Sequence, residues 1–420
     1  MERQYKDSGI AWADQIPVDW RVIKGKNLLN LMSRPVRQTD DVVTCFRDGE
    51  VVLRSERRTE GFTMSDKEIG YQGINKGDIV IHGMDGFAGA MGVSKSTGKG
   101  SPVLIVCTPK DNDDSRYIIY YLRAMAMNNV FLALATGIRE RSCDLRWNKI
   151  SDLPFIRPNA DEQKRIANYI DKKCGEIDEL IEVQEQMIQK LTDYKQSVIT
   201  EAVTKGLNPN VRLVPSGIDW IGDIPEGWKV SIVTTFFYEH SRKNEGLVEQ
   251  NLLSLSYGRV VRKNINTTEG LLPLSFEGYN IIDINDIVFR FTDLQNDHKS
   301  LRTGLCKERG IITSAYTTIR RRNNDIYANY FQYLFHSYDV NKIFYGIGSG
   351  VRQSIKFEDI KNLKILIPPL SEQISIASFI DAKCIEIDSL IALKQQKIEK
   401  LKEYKKSVIY EAVTGKIVIA

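Results

Sequence analysis

Few residue patterns in this sequence could carry catalysis, and each lacks a required feature. The segment STGKGS at 96–101 has neither the spacing nor the following Ser/Thr of a phosphate-binding loop. Pro368-Pro369 follows Ile and precedes Leu, so it does not supply the Asn/Asp-Pro-Pro-aromatic motif of an amino-methyltransferase. The acidic run at 110–114 is more typical of a charged loop than of a nuclease metal site. The sequence therefore predicts no catalytic residue.

Metal and nucleophile patterns are also missing from the sequence. No HExxH, GxSxG or zinc-type spacing occurs. The four histidines do not lie at ligand-like spacings. They are His82, His240, His298 and His336. We therefore predict a chain that is not an enzyme and that holds no metal and no cofactor.

Composition and length indicate an ordinary globular protein. The 420 residues suggest two to four domains, and the 42% hydrophobic and 27% charged residues are normal for a soluble chain. No apolar run approaches the ~18 residues of a membrane helix, and the first residues lack the apolar core of a signal peptide. Six cysteines without a CxxC pair favour a reducing compartment. We expect a cytoplasmic location and no membrane partner.

Positive charge is concentrated in two segments. Residues 21–149 carry 20 Lys and Arg against 15 Asp and Glu, and residues 229–361 carry 18 against 14. The stretch 162–204 has 6 basic against 9 acidic residues, and 372–414 has 7 of each. A phosphate backbone would favour two basic segments of this kind, although a chance fluctuation of surface charge explains the numbers equally well.

An internal repeat is the strongest signal. Residues 162–204 align with 372–414 without gaps, and 26 of the 43 positions are identical. A shorter repeat opens each half, where SGIAWADQIPVDWRV at 8–22 matches SGIDWIGDIPEGWKV at 216–230. The blocks between these repeats are much less alike, with faint echoes such as GDIV at 77–80 and NDIV at 285–288. One architecture has been kept while its surface diverged.

The repeated 43-residue segments predict two long helices that pack on each other. Apolar residues recur at heptad spacing, and at 1.5 Å per residue each helix would span about 65 Å. The predicted core of this helix pair is Ile170, Ile177, Ile181, Ile188, Leu191, Val198, Ile380, Ile387, Ile391, Ile398, Leu401 and Val408. Asp161 and Ser371 are the expected N-caps. Both stripes are broken centrally, at Gln184 and Lys394, by a polar side chain that either fixes register or reaches solvent.

These motifs resemble the specificity subunits of type I restriction–modification systems. The resemblance rests on SGIDWIGDIPEGW, the segment PPLSEQ, the helix end YKKSVIYEAVTGK and GMDGFAGAMGVSKSTGKGSPVLIV at 83–106, and it covers nearly the whole chain. It implies that each variable block reads one half of a split site on double-stranded DNA. The helices would space the blocks and dock two methyltransferase subunits, with restriction subunits as further partners. S-adenosylmethionine, ATP and Mg would then belong to those partner subunits.

Residues that contact DNA are expected among the basic and amide side chains of the two blocks, because these types bind phosphates and base edges. The candidates cluster beside predicted strands or glycine-containing loops. They are Arg54, Arg57, Arg58, Lys95, Lys99, Arg139, Arg141, Arg259, Arg262, Lys263, Asn296, Lys299, Arg302, Arg352 and Gln353.

The sequence thus predicts an α+β protein with two globular mixed α/β target-recognition domains, two long antiparallel coiled-coil helices and a pseudo-twofold internal repeat. The expected boundaries are 1–155 and 207–365 for the recognition domains with their Trp-containing opening segments. The first spacer helix is expected in 156–206 and the second, with the C-terminal tail, in 366–420. A scaffold that spaces two protein-binding domains is the alternative, and steep salt dependence of DNA binding would distinguish the two.

Overall fold

The computed structural model describes residues 3–57, 69–133, 145–266, 273, 275–292, 301–347 and 355–419. The chain forms two compact units, one of residues 1–185 with 395–420 and the other of residues 186–394. Each unit contains one globular domain and parts of the two long helices. Among the described residues, none of the helices has the length and apolar character needed to cross a membrane.

The helices range from single turns to two very long ones. The two long helices contain 46 and 44 residues, and they include the first copy of the 43-residue repeat and all but the last residue of the second. In chain order the helices are α1 (Gly25–Leu28), α2 (Ser115–Met127), α3 (Val130–Ala133), α4 (Trp147–Asp152), α5 (Ala160–Lys205), α6 (Val233–Phe236), α7 (Ala328–Val340), α8 (Phe357–Ile360) and α9 (Leu370–Val413).

The first globular domain is built on short antiparallel strands. The strands are β1 (Tyr5–Asp7), β2 (Gln15–Pro17), β3 (Arg21–Lys24), β4 (Leu29–Leu31), β5 (Val43–Cys45), β6 (Val51–Leu53), β7 (Gln72–Ile74), β8 (Ile79–His82), β9 (Met91–Val93), β10 (Gly98–Gly100), β11 (Leu104–Pro109) and β12 (Pro154–Arg157). A four-stranded sheet has the order β4-β11-β8-β9, and the pairs β1-β2, β3-β12, β5-β6 and β7-β10 form small ribbons.

The second globular domain repeats this plan. Its strands are β13 (Leu213–Pro215), β14 (Asp223–Pro225), β15 (Lys229–Ile232), β16 (Phe237–Glu239), β17 (Leu253–Ser256), β18 (Arg259–Arg262), β19 (Asn280–Ile282), β20 (Ile287–Phe289), β21 (Thr303–Leu305), β22 (Gly310–Ile312), β23 (Thr317–Arg321) and β24 (Lys364–Ile367). The four-stranded sheet has the order β16-β23-β20-β21, and β13-β14, β15-β24, β17-β18 and β19-β22 form the ribbons. The internal repeat therefore extends through the diverged blocks.

The faint sequence echo between the two blocks marks an equivalent turn and strand. Gly77 and Asn285 both have positive φ, +93° and +75°, and each precedes a buried aspartate and then a sheet strand. The carboxylate of Asp78 accepts a hydrogen bond from the backbone N–H of Asn75, and Asp286 accepts the corresponding bond from Asp283. The echo was therefore kept because this turn needs a residue that tolerates positive φ and an acceptor.

One core in each unit joins the globular domain to the long helices. In the first unit, Ile166, Ile170 and Cys174 of α5 belong to the same buried cluster as Ile409 and Val413 of α9. The cluster also includes the buried face of α2. Cys174 is thus a packed apolar residue of this core.

The second unit has an equivalent core. Ile199 and Val203 of α5 share a buried cluster with Ile376 and Ile380 of α9 and with the aromatic face of α7. In each unit the residue numbers of α5 rise where those of α9 fall, so the two helices run antiparallel, as the sequence predicted.

Candidate nucleic-acid interface

A tryptophan and a glutamate join the opening segment of each domain to the first turn of a long helix. Trp20 Nε1 donates a 2.9 Å hydrogen bond to Glu162 of α5, and Trp228 Nε1 donates a bond of the same length to Glu372 of α9. Arg3 forms an ion pair with Glu162 and lies over the Trp20 ring, 5.1 Å from its centre. The repeated Trp and Glu-Gln motifs therefore have a shared structural role.

The glutamine after each glutamate fixes a short helix of the globular domain. Gln163 Oε1 accepts a 2.9 Å bond from the backbone N–H of Asp114 at the start of α2. Gln373 Oε1 accepts a 2.8 Å bond from the N–H of Tyr327 at the start of α7. Both glutamines are buried, with 0% and 1% of their surfaces exposed. Each long helix thus sets the position of the α-helix that supports the recognition sheet.

Buried tyrosines of α2 and α7 complete this attachment. The Tyr117 hydroxyl donates to the carbonyl oxygens of Ile156 and Val413, and Tyr330 donates to that of Val203. Burial raises the pKa of both phenols well above 10, so they stay protonated donors. Tyr120 and Tyr333 donate to Asp171 and Asp381, which are equivalent positions of the two helices.

Two equivalent ion pairs join the long helices. Lys405 Nζ lies 2.6 Å from the Asp178 carboxylate in the first unit, and Lys195 Nζ lies 2.7 Å from Asp388 in the second. Lys195 and Lys405 are equivalent in the repeat, and so are Asp178 and Asp388. Each unit therefore makes the same helix–helix contact with the roles of α5 and α9 exchanged.

The residues predicted to form the helix-pair core differ in burial. Six are buried, and these are Ile170, Ile177, Ile380, Ile387, Ile398 and Val408. Six are half-buried, and these are Ile181, Ile188, Leu191, Val198, Ile391 and Leu401. Gln184 is only 5% exposed, so it does not reach solvent, whereas Lys394 is half-buried and its Nζ lies 3.1 Å from Met187 sulfur.

Three of the DNA-contact candidates lie at the β5–β6 hairpin of the first unit. Lys95 Nζ is 2.7 Å from Glu50, and Arg57 pairs with Asp48 and Glu50 while its guanidinium lies 4.3 Å from the centre of the Phe46 ring. Arg54 is half-buried and its Nε lies 3.5 Å from the Thr44 hydroxyl. Lys99 lies on β10, which pairs with β7. The structure brings Arg57 and Lys95 together but gives them acidic neighbours.

Three further candidates lie on β18 or directly after it in the second unit. Arg259 and Arg262 have side chains 73% exposed, and Lys263 is exposed as well. Arg259 is 3.1 Å from Asp388 of α9, and Arg262 is paired with Glu308. This hairpin therefore presents a basic edge whose strands are fixed by ion pairs.

The prediction that Arg302 contacts DNA is wrong. Its side chain is 0% exposed, and its guanidinium donates to the carbonyl oxygens of Arg290 and Thr292 at 3.0 and 2.9 Å. Its backbone N–H donates to Asp339. Arg302 therefore satisfies buried backbone acceptors next to β21, and no phosphate could reach it. The other candidates lie outside the described residues and are Arg58, Arg139, Arg141, Asn296, Lys299, Arg352 and Gln353.

One cluster in the described part of the chain has the composition of a metal site. His240, Asp283 and Asp286 place possible ligand atoms within 4.8 Å of one another. Arg320 donates to both carboxylates, at 2.8 Å to Asp283 and 2.7 Å to Asp286. Because the guanidinium already neutralises these carboxylates, we assign no metal to the cluster.

The acidic run at 110–114 is likewise a structural loop. Asp111 and Asp113 pair with Arg157, at 2.7 and 2.9 Å, and Asp114 caps α2 by accepting from the backbone N–H of Arg116. Each carboxylate is therefore used in folding, as expected of a charged loop.

Comparison with known proteins gives a consistent family. Residues 308–403 match the model described as a type I restriction modification DNA specificity domain. The chain is 25% identical to the putative type I restriction enzyme MjaX specificity subunit of Methanocaldococcus jannaschii, over 99% of this chain and 97% of that protein. It is 22% identical to the MjaVIII specificity subunit of the same organism, over 96% and 94%.

Two solved structures share the fold. A chain from a structure on complex assembly and conformational transition of the type I R-M system has a TM-score of 0.66, at 13% identity over 96% of this chain and 99% of that one. The crystal structure of the HsdS subunit from Thermoanaerobacter tengcongensis has a TM-score of 0.53, at 13% identity over 96% and 98%. With its duplicated domains and repeated helices, the chain is similar over nearly its whole length to the specificity subunits of type I restriction–modification enzymes.

Proposed function

We propose that this chain selects the DNA sequence on which a type I restriction–modification complex acts. Each recognition domain reads one half of a bipartite, asymmetric site. The observation that carries the proposal is one fold present twice with unlike surfaces. The sheets and the bonds to α5 and α9 recur in both units, whereas the hairpin tips at 46–50 and 257–258 differ in length and residue type. Two similar readers with different surfaces suit two different half-sites.

Charge and exposure support DNA as the ligand. Both variable blocks have an excess of basic residues, five in 21–149 and four in 229–361 by the counts of Lys and Arg against Asp and Glu. The β17–β18 hairpin exposes three of these cations along one ribbon. A two-stranded ribbon fits the major groove of B-DNA, where base pairs can be distinguished.

Equivalent apolar patches on the long helices support two copies of one protein partner. In the first unit, Leu180, Val183 and Tyr404 are 46%, 43% and 54% exposed. We call this set patch 1. Both helix segments that carry patch 1 lie in the same unit, where Lys405 of α9 pairs with Asp178 of α5.

The second unit contains the equivalent set, which we call patch 2. Leu390, Leu393 and Tyr194 are 42%, 61% and 55% exposed, and they occupy the same positions of the repeat. Exposed apolar residues kept at matching positions indicate a binding surface. We propose that each patch binds one methyltransferase subunit and that restriction subunits join this assembly.

Catalysis in this proposal belongs to the partners. S-adenosylmethionine would be bound by the methyltransferase subunits, and ATP and Mg by the restriction subunits. The role of this chain is to hold two base-reading surfaces at a set separation along the duplex. Dimeric DNA readers use the same principle when they contact half-sites about one helical turn, ~34 Å, apart.

Exchange of one recognition domain tests the proposal. Residues 229–361 are replaced by the equivalent block of a relative that has a different target, and the chain is expressed with its methyltransferase subunits. Sequencing of modified bases should show one half of the methylated motif changed, with the other half and the spacing kept. Replacing 372–414 by a copy of 162–204 is the control, because 26 of these 43 residues are identical and neither half should change. An unchanged motif after the block exchange contradicts the proposal.

A further inference from the structure

The tip of the β17–β18 hairpin has an unusual residue for its backbone conformation. Ser256 pairs with Arg259, which leaves Tyr257 and Gly258 as a two-residue turn. Both have positive φ, +46° and +77°. Such turns favour Asn, Asp and Gly, and Gly258 fits this preference. A tyrosine in the left-handed region is strained because its Cβ crowds the backbone, so this turn is less stable than one with Asn or Gly at the same position.

The fold gains no packing from Tyr257 in return. Its side chain is 81% exposed, more than that of any other large hydrophobic residue in the described part of the chain. The aromatic ring therefore combines an unfavourable backbone with an exposed apolar surface. Strained residues of this kind concentrate at binding sites, where the strain positions a contact.

The strands that carry Tyr257 hold the tip firmly. Arg259 is anchored to Asp388 and Arg262 to Glu308. A Cβ placed on Gly304 of the neighbouring strand would lie 2.5 Å from Leu255, so β21 lies directly against the ribbon. The contacts of Arg259 and Leu255 hold the ribbon next to its turn, and they leave the Tyr257 ring exposed on the side of the β18 cations. An exposed aromatic tip of a two-stranded ribbon, with cations along one of its strands, fits a DNA groove with its phosphate walls.

The equivalent hairpin of the first unit has different chemistry at its tip. Cys45 pairs with Val51, and the intervening loop contains Arg47, which is 66% exposed, and Gly49 with φ of +92°. Arginine and tyrosine present different groups to a base edge. The two tips therefore differ where two half-sites of unlike sequence would require a difference.

We propose that Tyr257 is a specificity-determining residue, inserted with the β17–β18 ribbon into the major groove of the second half-site, where it contacts a base edge. The inference rests on the proposed function and identifies one of its contacts. It also predicts a trade-off, because a residue better suited to the turn stabilises the protein and loses the contact.

The test uses Tyr257→Asn in the complex of the full chain with its methyltransferase subunits. Asn tolerates positive φ, so the denaturation midpoint should rise. Affinity for a duplex with the methylated motif should fall about tenfold, within the range expected for one lost base contact, while affinity for a scrambled duplex stays the same. Tyr257→Phe separates the ring from the hydroxyl. Val248→Asn is the control, since Val248 is 68% exposed in the same unit and should change neither affinity.

The possible results separate the inference from the proposed function. A stabilised Tyr257→Asn variant with unchanged affinity for the motif overturns the role of Tyr257 and leaves the function intact. If Tyr257→Asn lowers the affinity for the motif duplex and the scrambled duplex equally, Tyr257 does not contact a base. Weaker binding of the methyltransferase subunits by this variant would overturn the inference as well. If the wild-type complex shows no preference for any duplex sequence, the proposed function itself fails.

Discussion

At the scale of single residues, the two equivalent tryptophan–glutamate hydrogen bonds differ in how deeply they are buried. Trp20 and its acceptor Glu162 are 1% and 8% exposed, whereas Trp228 is 7% exposed and Glu372 is an exposed residue. A buried carboxylate that loses a donor pays a desolvation cost, and an exposed one is hydrated by water. The two bonds have the same length but should differ in their contribution to stability.

Replacing the two tryptophans by phenylalanine measures this difference. We expect Trp20→Phe to lower the free energy of unfolding by about 1–3 kcal/mol and Trp228→Phe by about 1 kcal/mol or less, because only Glu162 is left buried with fewer donors. Urea unfolding followed by circular dichroism gives both values. Each variant is the control for the other, since both lose the same atoms. Equal decreases in the free energy of unfolding would show that the bond to the buried acceptor stabilises the protein no more than the bond to the exposed one.

The sequence identifies Trp20 and Trp228 as structurally important because they recur in both halves. It could not show that Arg302 is buried. That residue lies in a run of polar residues after an apolar strand, where a solvent-exposed cation is expected. The structure buries it because the carbonyl oxygens of Arg290 and Thr292 need donors, and a guanidinium can reach both. Backbone carbonyl groups that require a side-chain donor leave no recognisable pattern in the sequence around that donor.

At the scale of elements, the two long helices were predictable and their ends were not. Heptad spacing and the repeat placed α5 and α9 closely. The N-cap of α5 is Asn159, whose side chain accepts from the N–H of Glu162, and not Asp161, which lies inside the first turn. The helix α9 begins at Leu370, so Ser371 is likewise helical and not the cap. Two polar residues near a helix start compete, and backbone geometry decides between them.

The buried aspartates of the two sheets show a second limit. Asp78 is paired with Arg34, which follows β4, whereas Asp286 is paired with Arg320 on β23. Alignment of the two halves reveals the aspartates but not their partners, because the arginines come from non-equivalent positions. A buried carboxylate needs a guanidinium within reach and does not specify which strand supplies it.

Patches 1 and 2 allow a prediction at this scale. Leu390→Ala with Leu393→Ala should reduce the methyltransferase subunits bound by one chain from two to one, because patch 1 is unchanged. Folding stability should change little, since these side chains are 42% and 61% exposed. Mass measurement of the purified complex gives the stoichiometry. The matched pair Leu180→Ala with Val183→Ala should give the same result through patch 1.

Combining the four substitutions should abolish methyltransferase binding. Leu213→Ala is the control, because Leu213 is 41% exposed and lies outside both patches. Retention of two subunits by the fourfold variant would assign the binding surface to another part of the chain.

At the scale of the whole molecule, duplication means that each unit carries its own core and its own acid-sensitive group. His336 of α7 is 8% exposed, and burial, with a smaller contribution from Lys195, lowers its pKa to about 4. In the first unit, burial also lowers the pKa of His82. Both residues stay neutral in the folded protein where an unfolded chain would bind a proton. A lower pH should therefore reduce the folding stability of both units.

The sign and size of this effect follow for His336. Below pH 6.5 the unfolded chain protonates the imidazole while the folded unit does not until about pH 4, so the free energy of unfolding falls as pH drops through this window. Between pH 7 and pH 5 the expected loss from this group is about 2 kcal/mol. His336→Gln should remove that part of the pH dependence, and the slope that remains belongs to His82 and the carboxylates. Urea unfolding of both proteins at the two pH values measures the difference. Identical pH slopes for wild type and variant would mean that His336 is hydrated in the folded unit, in which case the packing of α7 against the long helices is looser than the buried aromatic cluster indicates.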